Sequence, residues 1–235
     1  MKRNLALSTI LLIAGSLLAA DSPKDEVTGA AKALADKSNY SWKTTTETAG
    51  NQNFRPGPTE GKTEKGGATW LSLSMRDNKV EAVIKGDKAA LKSGDAWESA
   101  SEDSAAGGQQ GPARFLSRRI RTFKAPAAEA QGILEKVAGL KKDGDAYAGD
   151  LTEDGAKAQL SMGGRGGNNA PDISGAKGSV KFWIKDGVLS KYEVKVQGKV
   201  SFNGNDRDVD RTTTVEIKDV GTTKVVVPED AAKKL

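Results

Sequence analysis

Apolar and polar residues alternate through most of the last quarter of the chain. Val180, Phe182 and Ile184 interleave with Ser179, Lys181 and Trp183. Asp186-Gly187 supplies a turn. Tyr192, Val194, Val196, Val200 and Phe202 then share one register, with Lys191, Glu193, Lys195, Lys199 and Ser201 in the other. Asn203-Gly204-Asn205-Asp206 turns the chain again, because Asn and Gly tolerate positive φ. The return run, 207–219, carries Val209, Val215 and Ile217 on one side. Period-two alternation of this length predicts antiparallel strands with one apolar and one solvated face.

The first half shows the same rhythm in shorter pieces. Val27, Ala30, Ala31, Leu34 and Ala35 fall on one face of a helix over 25–37. Threonine-rich 39–48 reads as a strand, since β-branching restricts χ1 in helices. It sets Tyr40, Trp42, Thr44 and Thr46 on one side. A piece at 59–63 offers a second strand. Runs at 69–75, 79–85 and 88–92 predict a meander, with Leu71, Leu73, Met75, Val80, Ala82, Ile84, Ala89 and Leu91 inward; Trp97 marks a short last strand.

The middle changes character. Residues 99–111 are small and partly acidic, which predicts a loop. Helices are predicted over 112–123 and 126–140, a strand over 145–151 and one helical turn over 152–160. The stretch 161–178 is dominated by glycine and reads as a flexible loop. A short helix follows Pro228. The expected architecture is α+β: one strongly curled antiparallel sheet, an open half-barrel, with helices over its concave face. The expected domain spans 21–235 and carries a helical and loop-rich insert at about 99–177.

Composition then narrows the chemistry. Lys2 and Arg3, an apolar run over 5–18, and Ala19-Ala20 read as a signal peptide of residues 1–20, cleaved near Ala20. The expected compartment is periplasmic or secreted, with a soluble mature chain. The chain contains no cysteine and no histidine. That excludes disulfides, thiolate nucleophiles, lipid attachment at an N-terminal cysteine, and histidine-based catalysis or zinc ligation. No cofactor is expected. The net charge of +5 is mild and does not indicate nucleic-acid binding.

The order of these elements resembles the LolA/LolB/LppX-like superfamily of bacterial lipoprotein and lipid carriers. The matching pieces are Asn39-Tyr40-Ser41-Trp42 after the first helix, the meander 69–97, the insert 112–140 and the strands 180–228. The closing Thr213-Thr214-Val215-Glu216-Ile217-Lys218-Asp219-Val220-Gly221 with Val227-Pro228 is similar to that group's final strand and terminal proline. The resemblance implies an open barrel plugged or lidded by the insert, and a non-catalytic carrier of lipid or an acylated protein. It carries over no binding residue by position.

Several residue sets compete for function. Tyr40, Trp42, Leu71, Leu73, Met75, Val80, Ile84, Phe182, Val194 and Val196 would line an acyl-chain cavity, or would be an ordinary core filled by the helices. On helix 112–123, Leu116, Ile120 and Phe123 are apolar, while Arg114, Arg118, Arg119 and Arg121 would meet a lipid headgroup or an anionic membrane surface. The bland reading of those arginines is a solvated basic face. Gly163 to Asn169 lacks the lysine-serine pair of a phosphate loop. Asn205, Asp206, Asp208 and Asp210 lack the glycine and distal glutamate of a calcium loop, and Arg207 and Arg211 suggest salt bridges instead. Trp70 and Trp183 face outward and are expected to pack on each other across strands. The leading expectation is an exported lipid carrier; the alternative is an envelope interaction protein with a filled core.

Overall fold

A computed structural model of the chain describes residues 22–49, 57–75, 78–100, 112–161, 171–202 and 204–235; side chains at 75, 78, 93, 112–115, 118 and 202 fall outside that description. Residues 1–21, which hold the expected signal peptide, residues 101–111 and the Gly163–Asn169 run therefore lie outside the described residues, as do the side chains of Met75, Arg114 and Arg118.

The strands are β1 (Asn39–Thr48), β2 (Thr59–Glu64), β3 (Thr69–Met75), β4 (Asn78–Lys85), β5 (Lys88–Ser93), β6 (Ala96–Ser99), β7 (Val137–Asp143), β8 (Ala146–Leu151), β9 (Asp172–Lys185), β10 (Val188–Phe202) and β11 (Asn205–Lys218). They form one 11-stranded sheet in the order β6-β5-β4-β3-β2-β1-β11-β10-β9-β8-β7, antiparallel throughout. The sheet is open, with β6 and β7 as its edges. Neighbours in the sheet are consecutive in sequence except at one pairing: β1 meets β11, with Trp42 opposite Ile217 and Thr44 opposite Val215. That pair joins the two ends of the chain at the middle of the sheet.

The helices are α1 (Pro23–Ala35), α2 (Pro112–Arg121), α3 (Pro126–Leu134), α4 (Glu153–Leu160) and α5 (Glu229–Ala232). Helix α1 begins two residues before its apolar spacing suggests. Ser22 accepts a hydrogen bond from the Asp25 amide at 3.2 Å, and Pro23 occupies the first turn, where its missing N–H costs nothing. Its Val27, Ala30, Ala31 and Leu34 join a single buried cluster with Tyr40, Trp42, Phe182 and Tyr192 from the sheet. Leu116 and Ile120 of α2, Ile133 and Leu134 of α3, and Leu160 of α4 belong to the same cluster, so these four helices share one face. Helix α5 lies on the other face, where Ala231 packs with Val83, Ala90 and Trp97.

Three sequence readings need correction. The helix expected over 126–140 stops at Leu134. Val137 then pairs with Leu151 to start β7, and Gly139 at φ 62° sits in the irregularity between Ala138 and Lys141. The spacing of Ile133 and Val137 fits a helix, but tertiary pairing overrides that weak local preference. The glycine-rich stretch yields strand from Asp172, where Ile173 opposes Val200 and Lys177 opposes Gln197. The single turn expected at 152–160 is an eight-residue helix, capped by Thr152 accepting from the Gly155 amide. The insert thus adds β7 and β8 to the sheet instead of standing apart from it.

Two glycines answer specific geometric demands. A Cβ on Gly61 would lie 2.0 Å from the Trp42 ring, so only glycine lets the indole lie flat across β2. Gly187, at φ 75° beside Asp186 at φ 52°, closes the β9–β10 hairpin in the left-handed conformation that matches strand twist.

Candidate ligand-binding face

The structure gathers the apolar candidates onto one face. Tyr40, Trp42, Leu71, Leu73, Phe182, Val194 and Val196 are buried in one cluster, and Val80 and Ile84 are half-buried against it. The insert crosses this face. From the β6 edge, α2 settles over β4 and β5 through Leu116 and Ile120. Phe123 then stacks on Trp42 of β1, with ring centres 5.9 Å apart and planes 14° from parallel. The Ala127 amide donates to the Tyr40 hydroxyl at 3.5 Å, and α3 continues across to β10 before the chain reaches the opposite edge at β7. The segment from α2 to α3 is therefore a strap laid across the sheet.

The chain has three tyrosines, and each phenol ties a helix to the sheet. Tyr40 meets the start of α3. Tyr192 of β10 donates to Glu129 of α3 at 2.5 Å, and Tyr147 of β8 donates to Glu26 of α1 at 2.5 Å. Burial raises the Tyr40 pKa to about 12, against a lowering by its bond to Ala127. Burial likewise raises Glu129, while Tyr192, Arg119 and Lys124 pull it back. Tyr192 is pushed up by burial and then by the Glu129 charge. Tyr147 is raised chiefly by its hydrogen bond to Glu26.

Burial fades along the sheet. On β1, Tyr40 and Trp42 are each 4% exposed, whereas Thr44, Thr46 and Thr48 are half-buried. Opposite them, Val215 is buried, but Thr213 and Arg211 are half-buried, as is Val209 two residues before Arg211 on β11. Arg211 faces the same way as Val196, its partner on β10, and its Nη2 donates to the Gln159 carbonyl of α4 at 2.6 Å. One end of the face is sealed by hydrocarbon; the other carries hydroxyls and a guanidinium.

The basic helix is not one patch. Arg119 is exposed yet crowded: neighbouring protein strips water from it and lowers its pKa, and Glu129 opposes that shift. Arg121 lies elsewhere, lining a cleft of about 430 Å³ with Lys88, Ala100 and Leu235. A second cleft, of about 480 Å³, is lined by Lys177, Gln197, Lys199, Asp208 and Asp210. Neither is lined by Trp42, Phe182 or Tyr192.

The remaining candidates fall out plainly. Among the described residues no group of Asp and Glu is arranged to hold a metal ion. Asp206 instead pairs with Lys199 at 3.5 Å, and Asp210 accepts from Gln197 at 2.7 Å. Arg211 points to the opposite face and pairs with neither. Trp70 and Trp183 do not meet, because β2, β1, β11 and β10 separate β3 from β9. Each takes a lysine instead: Lys62 stands 5.8 Å from the Trp70 ring and Lys191 stands 4.4 Å from Trp183. Alternation alone could not name strand partners. It did place Arg211 and Thr213 in register with Val209 and Val215, which was the available signal for an inward charge. Glu129 had no such signal; only the helix–strand contact reveals it. Among the described residues no helix is long and apolar enough to cross a membrane.

No protein-family model matches the chain, and no curated protein does. Among solved structures, the chain is similar to the lipoprotein LppX of Mycobacterium tuberculosis, at 12% identity and a TM-score of 0.48, covering 87% of this chain and 98% of that one. It is similar to LprF from Mycobacterium bovis at 11% identity and a TM-score of 0.46, covering 89% and 97%. A LolA superfamily protein from Nitrosomonas europaea matches at 8% identity and a TM-score of 0.34, covering 88% and 96%.

Proposed function

We propose that this chain is an exported, non-catalytic carrier that holds a lipid or an acylated protein between the apolar face of the sheet and the helices crossing it. In this reading the sheet curls into a half-barrel, the helices occupy its concave side, and the structure is the closed, unloaded form. The observation that carries it is the strap. A crossover from α2 to α3 spans the middle of the face and is held there by one aromatic stack and two phenol contacts. Residues 122–125 between the helices are not helical, which gives the strap a place to bend. Lifting it would expose Tyr40, Trp42, Leu71 and Leu73, an apolar surface suited to acyl chains, with Phe182, Val194 and Val196 as the deeper lining where α1 and α4 pack on β9 and β10. Met75 and the arginines at 114, 118, 119 and 121 belong to this proposal as further lining and as headgroup or membrane contacts.

A second reading is favoured by one observation. The strap and α1 already fill the space over the sheet, and the two clefts lie away from the centre of the cluster. Under that reading the chain is an envelope interaction protein with a permanent core. Native mass spectrometry of the mature chain, purified gently from its own envelope, separates the two. A mass excess released as lipid on denaturation supports the carrier. A bare chain that also refuses a fluorescent fatty acid sinks it and leaves the filled core.

A further inference from the structure

The half-buried end of the face holds a charge arrangement that the protein does not balance by itself. Arg211 lies opposite Thr48 on β1 and Val196 on β10, so its side chain shares the face of the buried cluster. One guanidinium nitrogen is committed to the Gln159 carbonyl. Among the described residues no carboxylate forms an ion pair with Arg211, although a guanidinium offers five N–H donors. The formal charge that bears on it is another cation: burial first, and then Arg119, lower its pKa. Arg119 in turn feels Glu129, but that carboxylate is already bonded to Tyr192. Opposite Arg211, the Thr48 Oγ1 is buried and has no hydrogen-bond partner among the described residues. Thr46 and Thr213, directly opposite each other, add two more half-buried hydroxyls. A half-buried guanidinium without a carboxylate, facing a buried hydroxyl, is costly unless something supplies negative oxygen atoms.

We propose that Arg211 and Thr48, with Thr46 and Thr213 beside them, form a binding site for a phosphate oxyanion, and that the exposed Arg119 of α2 reaches the same anion. The planar guanidinium fork suits two phosphate oxygens at once, and a hydroxyl donor suits the third. The site stands at the end of the apolar face where hydrocarbon gives way to threonine. A ligand with acyl chains under the strap would place its headgroup there. The inference therefore rests on the carrier reading for the lipid source of the phosphate, but the oxyanion chemistry does not require it. A phosphorylated small molecule or free phosphate presents the same group.

The test uses the mature chain and three probes: a fluorescent phosphatidic acid, a diacylglycerol of the same chains, and inorganic phosphate followed by amide chemical shifts. The expected result is that phosphatidic acid binds about ten- to a hundredfold tighter than diacylglycerol, the range for a charged hydrogen-bonding partner. Arg211→Gln is expected to bring that ratio close to unity while diacylglycerol uptake persists. Because Arg211 also anchors α4, Arg119→Gln serves as a second variant at an exposed position, and is expected to reduce the ratio in the same direction. An equal affinity for both lipids in the natural chain, or a preference that survives both substitutions, would overturn the site. If neither lipid is taken up, the carrier reading fails. Inorganic phosphate then decides the oxyanion site alone: shifts at Thr48 and Arg211 that vanish in Arg211→Gln support it, and their absence refutes it.

Discussion

Tyr40 and Thr48 lie on one strand and point to one side of one sheet, yet they stand in two different solvents. Around Tyr40 and Trp42 the helices close the face, and Phe182, Leu189 and Tyr192 are buried to 1% or less. Phenols there are anchored in pairs, Tyr192 with Glu129, Tyr147 with Glu26 and Tyr40 with the Ala127 amide. Around Thr46 and Thr48 the same strand is half open, and an arginine replaces the aliphatic residue in the inward register. The difference teaches that the face is built in two parts. One supplies fold stability through buried hydrocarbon, and the other gives up part of that stabilisation to hold hydroxyls and a half-buried guanidinium.

Substitutions at the two ends should therefore differ most in stability. Phe182→Ala at the sealed end is expected to cost about 3–5 kcal/mol, the loss of a buried aromatic and the cavity left behind. Thr46→Val at the open end should stay within about 0.5 kcal/mol. Urea midpoints of the two variants check the contrast, and similar losses would abolish the distinction.

Next in size are two changes confined to the sealed end. Gly61→Ala pushes a methyl group into the Trp42 ring and should cost about 1–3 kcal/mol by overpacking. Tyr192→Phe removes the donor that satisfies Glu129 and should cost about 1–3 kcal/mol. In Glu129→Gln the Tyr192 change should cost less, since no buried charge is left behind, and a double-mutant cycle measures that coupling.

The Glu129 carboxyl also sharpens the comparison through pH. Burial raises its pKa in the folded state, so the folded protein holds this proton more tightly than the unfolded chain. Its favourable contribution is complete below the ordinary glutamate value and is lost as pH rises through the raised folded value. Glu129→Gln should remove that loss, leaving the variant at least as stable as the natural chain near neutral pH. Denaturation of both proteins across the acid range reads this directly; a difference that does not vary with pH would contradict it. The smallest effect belongs to the outer face, where Lys191→Ala removes a cation lying on Trp183 and should cost about 0.5–1 kcal/mol.

Legibility followed the range of the forces involved. β1 matched its sequence boundaries at Asn39 and Thr48, because threonine crowding and alternation act within a few residues. Strand β7 was hidden, since Val137 and Leu140 fit a helix as well as an edge strand until Leu151 pairs with Val137. The start of β9 was hidden by glycine, whose composition says loop while the β10 ladder holds it extended. In the candidate site, the apolar residues were readable from their register. Glu129 and the Tyr192 bond to it were not, because nothing local links a helix carboxylate to a phenol on a distant strand.

The amino-acid sequence by itself determined which positions are apolar, where most turns fall, which chemistries lack their residues, and that one face of a large antiparallel sheet must be covered. Tertiary structure decided what covers it, and where the cover stops. Strand order, the strap across β1 and β10, and the meeting of Arg211 with α4 depend on contacts between residues far apart in the chain. Alternation is set by the geometry of one strand, but partners are chosen by the closure of the whole sheet.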